Sequence, residues 1–372
     1  MISKYITSLV CPETKLPLEL CSLAEAERRI GKALVARTDA LTAKHKTSKP
    51  FGLSDQVLLR QDLLGAYPIV EGVPILLIPE LLTPIDDKRS IDLCQPQYAE
   101  SYEEMEFYNE YAINEAKQIE KSEDYIRIAP IVKLDRKSMD LFPHPKEIWI
   151  DAIYDCAGQW DAYDHLAPIA GKRVIQLGGK GFHAVKFLLA GASEAWTITP
   201  MLGEAVCARA LAEAFGVADR LYCVVAVAEE LPIADGSIDS LYTGGCLHHM
   251  QTPIALPEVK RILCDGGRFA AVDPWNAPLY DWGTKLLGKR ESDVYCKPLT
   301  EQRLEPVKQL FQNYRVIQHG TLTRYPLLAL NKFGINSSLS VAWRANQIDD
   351  AISSAIPGMR EMGSSVVILC EK

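Results

Sequence analysis

The sequence predicts an α/β protein whose core is a doubly wound, mostly parallel sheet, on three observations. The first is Lys172 to Gly191, KRVIQLGGKGFHAVKFLLAG, an apolar strand that breaks at glycines and opens directly into a helix. The second is the alternation of strand and helix patterns that follows, which within one sheet demands right-handed crossovers. The third is composition: 372 residues, 48% hydrophobic and 24% charged, are enough for a large core and two or three units.

In the leading unit Val174, Ile175 and Leu177 supply the strand, and Gly178, Gly179 and Gly181 the loop. Ala184, Phe187, Leu188 and Leu189 then recur at helical spacing. Backbone N–H groups and the positive end of a helix therefore gather at the carboxyl edge of the sheet, where such folds hold nucleotide-like ligands. Glu194 to Thr199 reads as a second strand, Glu204 to Phe215 as a helix and Leu221 to Val227 as a third strand. Ala228 to Gly236 (AEELPIADG) is a polar loop, and Ser240 to Thr243 a short fourth strand ending in GGCLHHM. Pro257 to Leu263 forms a helix, Asp265-Gly266-Gly267 a turn, and Arg268 to Val272 a fifth strand.

AEELPIADGSIDSLYTGGCLHHM followed by PEVKRILCDGGRFAAVDP is similar to the class I S-adenosylmethionine-dependent methyltransferases, small-molecule branch, over roughly the second half of the chain. The resemblance implies a seven-stranded sheet of methyltransferase type that closes on an antiparallel strand, and Ser364 to Cys370 (SSVVILC) fits that strand. It implies S-adenosyl-L-methionine as cofactor, with Gln176, Gly178, Gly179, Gly181, Thr199, Ala228 and Glu229 as its contacts. The family's first loop reads D-x-G-x-G-x-G. Here Gln176 stands in the acid's place, Lys180 and Phe182 replace two glycines, and Gly179 and Gly181 restore the loop in a shifted register. The family's acids at the end of the second strand and before AEELP give way to Thr197 to Thr199 and to Val227. Glu204 and Glu229 are candidate replacements.

Chemistry in such a site needs a base near the transferred group. His248 and His249 follow the fourth strand at the carboxyl edge and Asp273 follows the fifth, so these three are the catalytic candidates. A neutral imidazole near its pKa accepts a proton as the nucleophile attacks, and simple packing of one histidine is the alternative. His183, His248, His249 and Asp273 are also residue types that suit zinc or iron, but histidines distant in sequence do not by themselves converge, and no metal is expected. His183, Tyr111, Trp275, Asn276 and Arg324 are the candidates for shaping substrate specificity, with Tyr325 beside the last. The reaction implied is methyl transfer to oxygen or nitrogen of a small molecule. The alternative is a repurposed fold that catalyses another reaction or regulates a partner.

A formal net charge of −8 without a lysine or arginine run argues against a duplex nucleic-acid surface. No apolar run reaches membrane-spanning length and MISKYITSLVC is not a signal peptide, so a cytoplasmic protein without membrane contact is expected. The ten cysteines are scattered without a C-x-x-C pair, as reduced small hydrophobes are. A small-molecule substrate is the expected partner, and a homodimer is left open.

Residues 1–94 read as a small β-rich accessory domain. Leu9 to Glu19 and Ala66 to Pro79 resemble the two halves of the zinc-ribbon-like family that includes the activator subunit of tRNA and protein methyltransferases, with Cys11 kept and Thr14 in place of the second cysteine. YPIVEGVPILL reads as a hairpin around Glu71-Gly72. Leu23 to Leu41 has helical periodicity and Thr47 to Gly52 reads as a loop. A metal-free structural module is the favoured reading and a partner-docking module the alternative. Residues 95–165 read as a helical linker. Within Tyr98 to Arg127, Tyr102, Met105, Tyr108, Tyr111 and Ala112 share one helical side; the resemblance implies a lid, and a surface helix is the alternative. Pro143-His144-Pro145 marks a rigid connector before Ile148 to Trp160. Residues 166–372 are then the methyltransferase-type domain, with a substrate insertion around 276–345.

Overall fold

A computed structural model describes residues 2–31, 33–36, 53–85, 155–278, 280, 297–335 and 339–372. Tyr111, the 98–127 segment, the 143–145 connector and the 47–52 loop lie outside the described residues.

The N-terminal part contains β1 (Leu18–Ser22), α1 (Leu23–Ile30), β2 (Leu34–Ala36), β3 (Leu53–Arg60), β4 (Ala66–Val70), β5 (Val73–Pro74) and β6 (Leu82–Pro84). Its strands form an antiparallel sheet in the order β1-β3-β4-β6-β2, with β5 on β4. The hairpin at Glu71-Gly72 is present, both residues having positive φ as a tight two-residue turn requires. The helix expected over 23–41 is shorter. Ser22 caps its start by accepting the Glu25 N–H, and Gly31, at φ +86°, ends it. Leu34–Ala36 then pairs with Leu82–Pro84, a partner that helical periodicity does not reveal.

The second sheet is assembled from α2 (Cys156–Leu166), β7 (Arg173–Leu177), α3 (Phe182–Leu189), β8 (Glu194–Thr199), α4 (Leu202–Ala214), β9 (Leu221–Val225), β10 (Ile238–Gly244), α5 (Thr252–Ile262), β11 (Leu263–Pro274), α6 (Glu301–Leu310), β12 (Asn313–His319), α7 (Arg324–Lys332), α8 (Leu339–Ala355) and β13 (Ser365–Glu371). Its seven strands run β12-β13-β11-β10-β7-β8-β9. β13 is antiparallel to both neighbours, whereas β7 to β11 pair in parallel, the arrangement of the class I methyltransferase fold. The chain builds outward from β7 to β9 and then returns to β10, so the order reverses between β7 and β10. A crevice at the carboxyl ends of these strands follows.

Two differences from the sequence reading concern boundaries. Asp265 to Gly267 lies within a continuous β11 rather than preceding it, because the irregularity is absorbed as a register shift between Ile238 and Ser240. The 276–345 stretch read as an insertion supplies β12, an edge strand of the same sheet.

One sheet face, with Ile175, Trp196, Leu241, Phe269 and Ile368, packs on α5 and on Tyr5, Leu9 and Tyr67 of the N-terminal part. The other face, with Val174, Ala195, Ala270 and Leu369, is covered by α2, α3 and α4. The N-terminal part also closes the β9 edge. Ile75 bridges Val225 in parallel and the Leu76 N–H donates to the Val225 carbonyl at 2.8 Å, while the Tyr5 ring sits 5.2 Å from Trp196 and 4.4 Å from Tyr222. An edge that would otherwise offer unpaired backbone groups is thereby occupied.

At the opposite edge, the buried His319 ends β12 and joins two helices. Its Nε2 lies 3.0 Å from the Asp161 carboxylate of α2 and its Nδ1 2.8 Å from that of Asp350 in α8, with Arg360 a further 3.8 Å from Asp350. Burial opposes its charge, but the two carboxylate hydrogen bonds more than offset this and raise the pKa to about 9. A folded pKa above the unfolded value means that the stabilisation is complete below about pH 6.5 and is lost as pH rises through about 9. The melting temperature should therefore fall between pH 6.5 and 9 more steeply in the native protein than in His319→Gln. Equal slopes in the two proteins would show that His319 does not contribute the dependence.

Candidate functional site

Local sequence explains how the first loop folds. Gly178, Gly179 and Gly181 all have φ between +76° and +83°, a region costly for residues with a Cβ. The buried Gln176 spans the loop from below: its Nε2 donates to the Gly178 carbonyl at 2.9 Å, and its Oε1 accepts the Ala184 N–H at 2.8 Å. Gln176 thus supports the loop rather than reaching the crevice. Gly181 has a packing role, since a Cβ there would lie 2.3 Å from that of Ala208. Gly178 has two constraints. Its N–H donates to the Ile198 carbonyl at 2.7 Å, and a Cβ would meet Cys246 Sγ at 2.6 Å.

A cavity of about 240 Å³ opens at the carboxyl ends of β7, β8, β9 and β10. Gly178 and Gly179 line one side, Ile198, Pro200, Met201 and Glu204 a second, Ala226 to Glu229 a third, and Gly245, Cys246, His249 and Met250 the last. Of the residues proposed from sequence it gathers Gly178, Gly179, Glu204, Ala228, Glu229 and His249. Among the described residues, two buried carboxylates and no lysine or arginine line the wall. Thr199, at the end of β8, is not on the wall; its hydroxyl donates to Glu204 Oε2 at 2.5 Å and accepts the Met201 N–H at 3.2 Å. Across the cavity Glu229 Oε1 accepts the Gln251 N–H at 2.8 Å.

The histidine pair divides into two environments. His248 is buried and its Nδ1 lies 2.8 Å from Asp273 Oδ1, which also accepts the His248 backbone N–H at 3.0 Å. His249 is half-buried on the cavity wall, its ring 3.8 Å from that of His248. Asp273 and His248 therefore stand behind His249 and not on the wall.

The other candidates lie elsewhere. His183 Nδ1 is 2.5 Å from Tyr163 Oη and its ring packs 4.4 Å from Tyr242, on the helix-covered face. It does not join the pair, and among the described residues no group of histidine, cysteine, aspartate and glutamate is placed to hold a metal. Trp275 is buried in the core, Asn276 is exposed, and Arg324 forms an ion pair with Asp155. Sequence reasoning had not placed the apolar wall of Ile198, Pro200, Met201, Ala226, Cys246 and Met250. Its signal was available, since each lies within a few residues of a strand's carboxyl end.

Residues 178–271 match the family described as "Methyltransferase domain". A tRNA U34 carboxymethyltransferase from Alcanivorax borkumensis is 32% identical over 108 residues, 28% of this chain and 32% of that protein. The ubiquinone/menaquinone biosynthesis C-methyltransferase UbiE of Rubrivivax gelatinosus is 34% identical over 121 residues, 31% of this chain and 46% of that protein. The matched region thus spans a third to just under half the length of these relatives. A solved geranyl diphosphate C-methyltransferase from Streptomyces coelicolor, in complex with Mg2+, geranyl-S-thiolodiphosphate and S-adenosyl-L-homocysteine, has 15% identity and a TM-score of 0.47, covering 72% of this chain and 97% of that one. The family match covers residues 178–271, within a sheet whose strand order is that of the class I methyltransferase fold.

The contact at Gly178 yields a direct test. Gly178→Ala should lower stability by about 1–3 kcal/mol, from positive φ and the clash with Cys246. In a double-mutant cycle by urea unfolding, Cys246→Gly should recover the steric part only, leaving a coupling between the two changes. Strict additivity would mean that the residues are not in contact.

Proposed function

We propose that this protein is a methyltransferase that uses S-adenosyl-L-methionine to methylate oxygen or nitrogen of a small molecule. The observation that carries the reading is the cavity itself. An apolar slot at the glycine loop is faced by two buried carboxylates, Glu204 and Glu229, and among the described residues no lysine or arginine lines it. Buried carboxylates require donors, and the hydroxyl and amino groups of a nucleoside provide them. The charge of a sulfonium meets acids rather than a lysine there, because Lys180 of the loop is not on the wall. The residues present therefore fit the cofactor despite the missing acids at Gln176, Thr199 and Val227. Glu204, tethered to Thr199, stands in for the acid expected at the end of β8.

When bound, the cofactor would supply a sulfonium methyl group whose carbon the acceptor's oxygen or nitrogen attacks, the S–C bond breaking and the neutral thioether leaving with the electron pair. The chain's own contribution is orientation and proton handling. Gly178 and Gly179 let a ligand approach the backbone, and Ala228 with Glu229 forms the facing wall. His249 is the group able to accept the acceptor's proton, while the Asp273–His248 pair holds the turn beneath it. A small acceptor is favoured over nucleic acid by the acidic wall and the net charge of −8. No helix among the described residues is long and apolar enough to cross a membrane. A cytoplasmic setting is proposed on the ten cysteines, scattered without a C-x-x-C pair.

Calorimetric titration should show saturable binding of S-adenosylmethionine and S-adenosylhomocysteine, and Glu204→Gln should weaken both by about tenfold, the scale of one hydrogen bond to a charged group. No heat at millimolar ligand with folded protein would overturn the reading in favour of a repurposed fold. In parallel, labelled methyl transfer into a small-molecule extract should proceed with the native protein. His249→Ala should slow the chemical step by about 10²- to 10⁴-fold with little change in cofactor affinity. Equal turnover would remove His249 as base.

A further inference from the structure

Behind the cavity, three backbone carbonyls converge on one guanidinium. Arg303 lies in the first turn of α6, where Thr300 Oγ1 accepts its N–H at 3.3 Å. Its Nη2 donates to the carbonyls of His248 at 2.8 Å and Met250 at 3.0 Å, and its Nη1 to that of Lys297 at 2.7 Å. Its own carbonyl accepts the Thr252 hydroxyl at 2.7 Å, so both ends of the 248–252 stretch are tied to α6. The two carbonyls gripped by Nη2 flank His249 in the chain.

Other contacts also hold that stretch, since the Gln251 N–H donates to Glu229 Oε1 at 2.8 Å and Met250 packs in the core. The turn Leu247–His249 is three residues long, and its internal bonds are the His249 N–H to the Cys246 carbonyl at 3.0 Å and the Met250 N–H to the Leu247 carbonyl at 3.1 Å. Single turns of this kind have poor hydrogen-bond geometry and hold their shape weakly alone. On one side Asp273 takes the N–H and ring of His248; on the other Arg303 takes the carbonyls. We propose that Arg303 is a positioning residue for His249, fixing the imidazole on the cavity wall through the carbonyls of His248 and Met250. For the ring to leave the wall by a peptide rotation, charge-assisted bonds, the stronger class, would have to break. Lysine cannot replace it, because a single ammonium lacks the planar fork that reaches Lys297 and the turn together.

The test reads His249 directly in histidine-labelled NMR spectra of the full chain, its signal identified by its loss in His249→Gln. Arg303→Ala and Arg303→Lys should both shift or broaden the His249 signal, leaving the signals of the distant His165 and His319 in place. Guanidinium added to Arg303→Ala should restore the native signal, a recovery that a merely structural residue would not show. S-adenosylhomocysteine affinity should change little in the same variants, as expected for His249→Ala. An unchanged His249 signal in both variants overturns the proposal, as does a change shared by His165 and His319 without rescue by guanidinium. Should Arg303→Ala fail to fold, Arg303→Lys decides, a native His249 signal rejecting the role. The affinity measurement rests on the cofactor reading and the spectra do not, so a native protein that binds no S-adenosylhomocysteine would sink that reading alone.

Discussion

The approach of Gly178 to Cys246 sets the geometry on which the site depends. These residues end the two strands, β7 and β10, between which the sheet order reverses, and a single methyl group at position 178 would lie 2.6 Å from the thiol. With the loops in contact, the glycine backbone and the His249 turn become adjoining walls of one cavity. Gln176 makes the arrangement self-supporting, because its amide both donates to the Gly178 carbonyl and accepts from Ala184. An ionised acid at that position has no proton to donate. The departure from the family pattern therefore exchanges a charged group for a neutral brace under the same loop.

The acidic character lost there returns through other residues. Glu204 reaches the wall from the first turn of α4, where a carboxylate is also favoured by the helix N-terminus, and Thr199 holds it at the end of β8. Glu229 faces it from the short turn after β9, braced by the Gln251 N–H. Neither carboxylate stands at the family's position, yet both line the cavity.

The N-terminal sheet belongs to the same physical unit as the site. Leu76 bonds to Val225, the last residue of β9, and the next residues, Ala226 to Glu229, line the cavity. Val10 donates to Pro232 and Ala234 to Ser8, which fastens the segment just beyond that wall. Lys15 adds an ion pair to Glu258 of α5. Edge protection and support of the wall are accomplished by one set of contacts, so a disturbance of β4 and β5 would be felt at Ala226.

Most of the second sheet was legible in the sequence because its signals are local: apolar runs of strand length, glycines at strand ends, and helical spacing between them. Gly178, Gly179, Ala228, Glu229 and His249 were legible for the same reason, lying just past strand ends where ligands of this fold class bind. The strand at Leu34–Ala36 was not, since its partner lies almost fifty residues away, and Gly31 acts as a helix stop only in the left-handed conformation the fold selects. The sequence by itself determined the order of strands and helices, the glycine loop and the pair of histidines as a pair. Tertiary structure alone decided which histidine meets the cavity and which is buried against Asp273, that Gln176 braces the loop, that Thr199 tethers Glu204, and that Arg303 grips the turn. The physical reason is range: periodicity and glycine placement act within a few residues, whereas these roles depend on atoms brought together from strands and helices far apart in the chain.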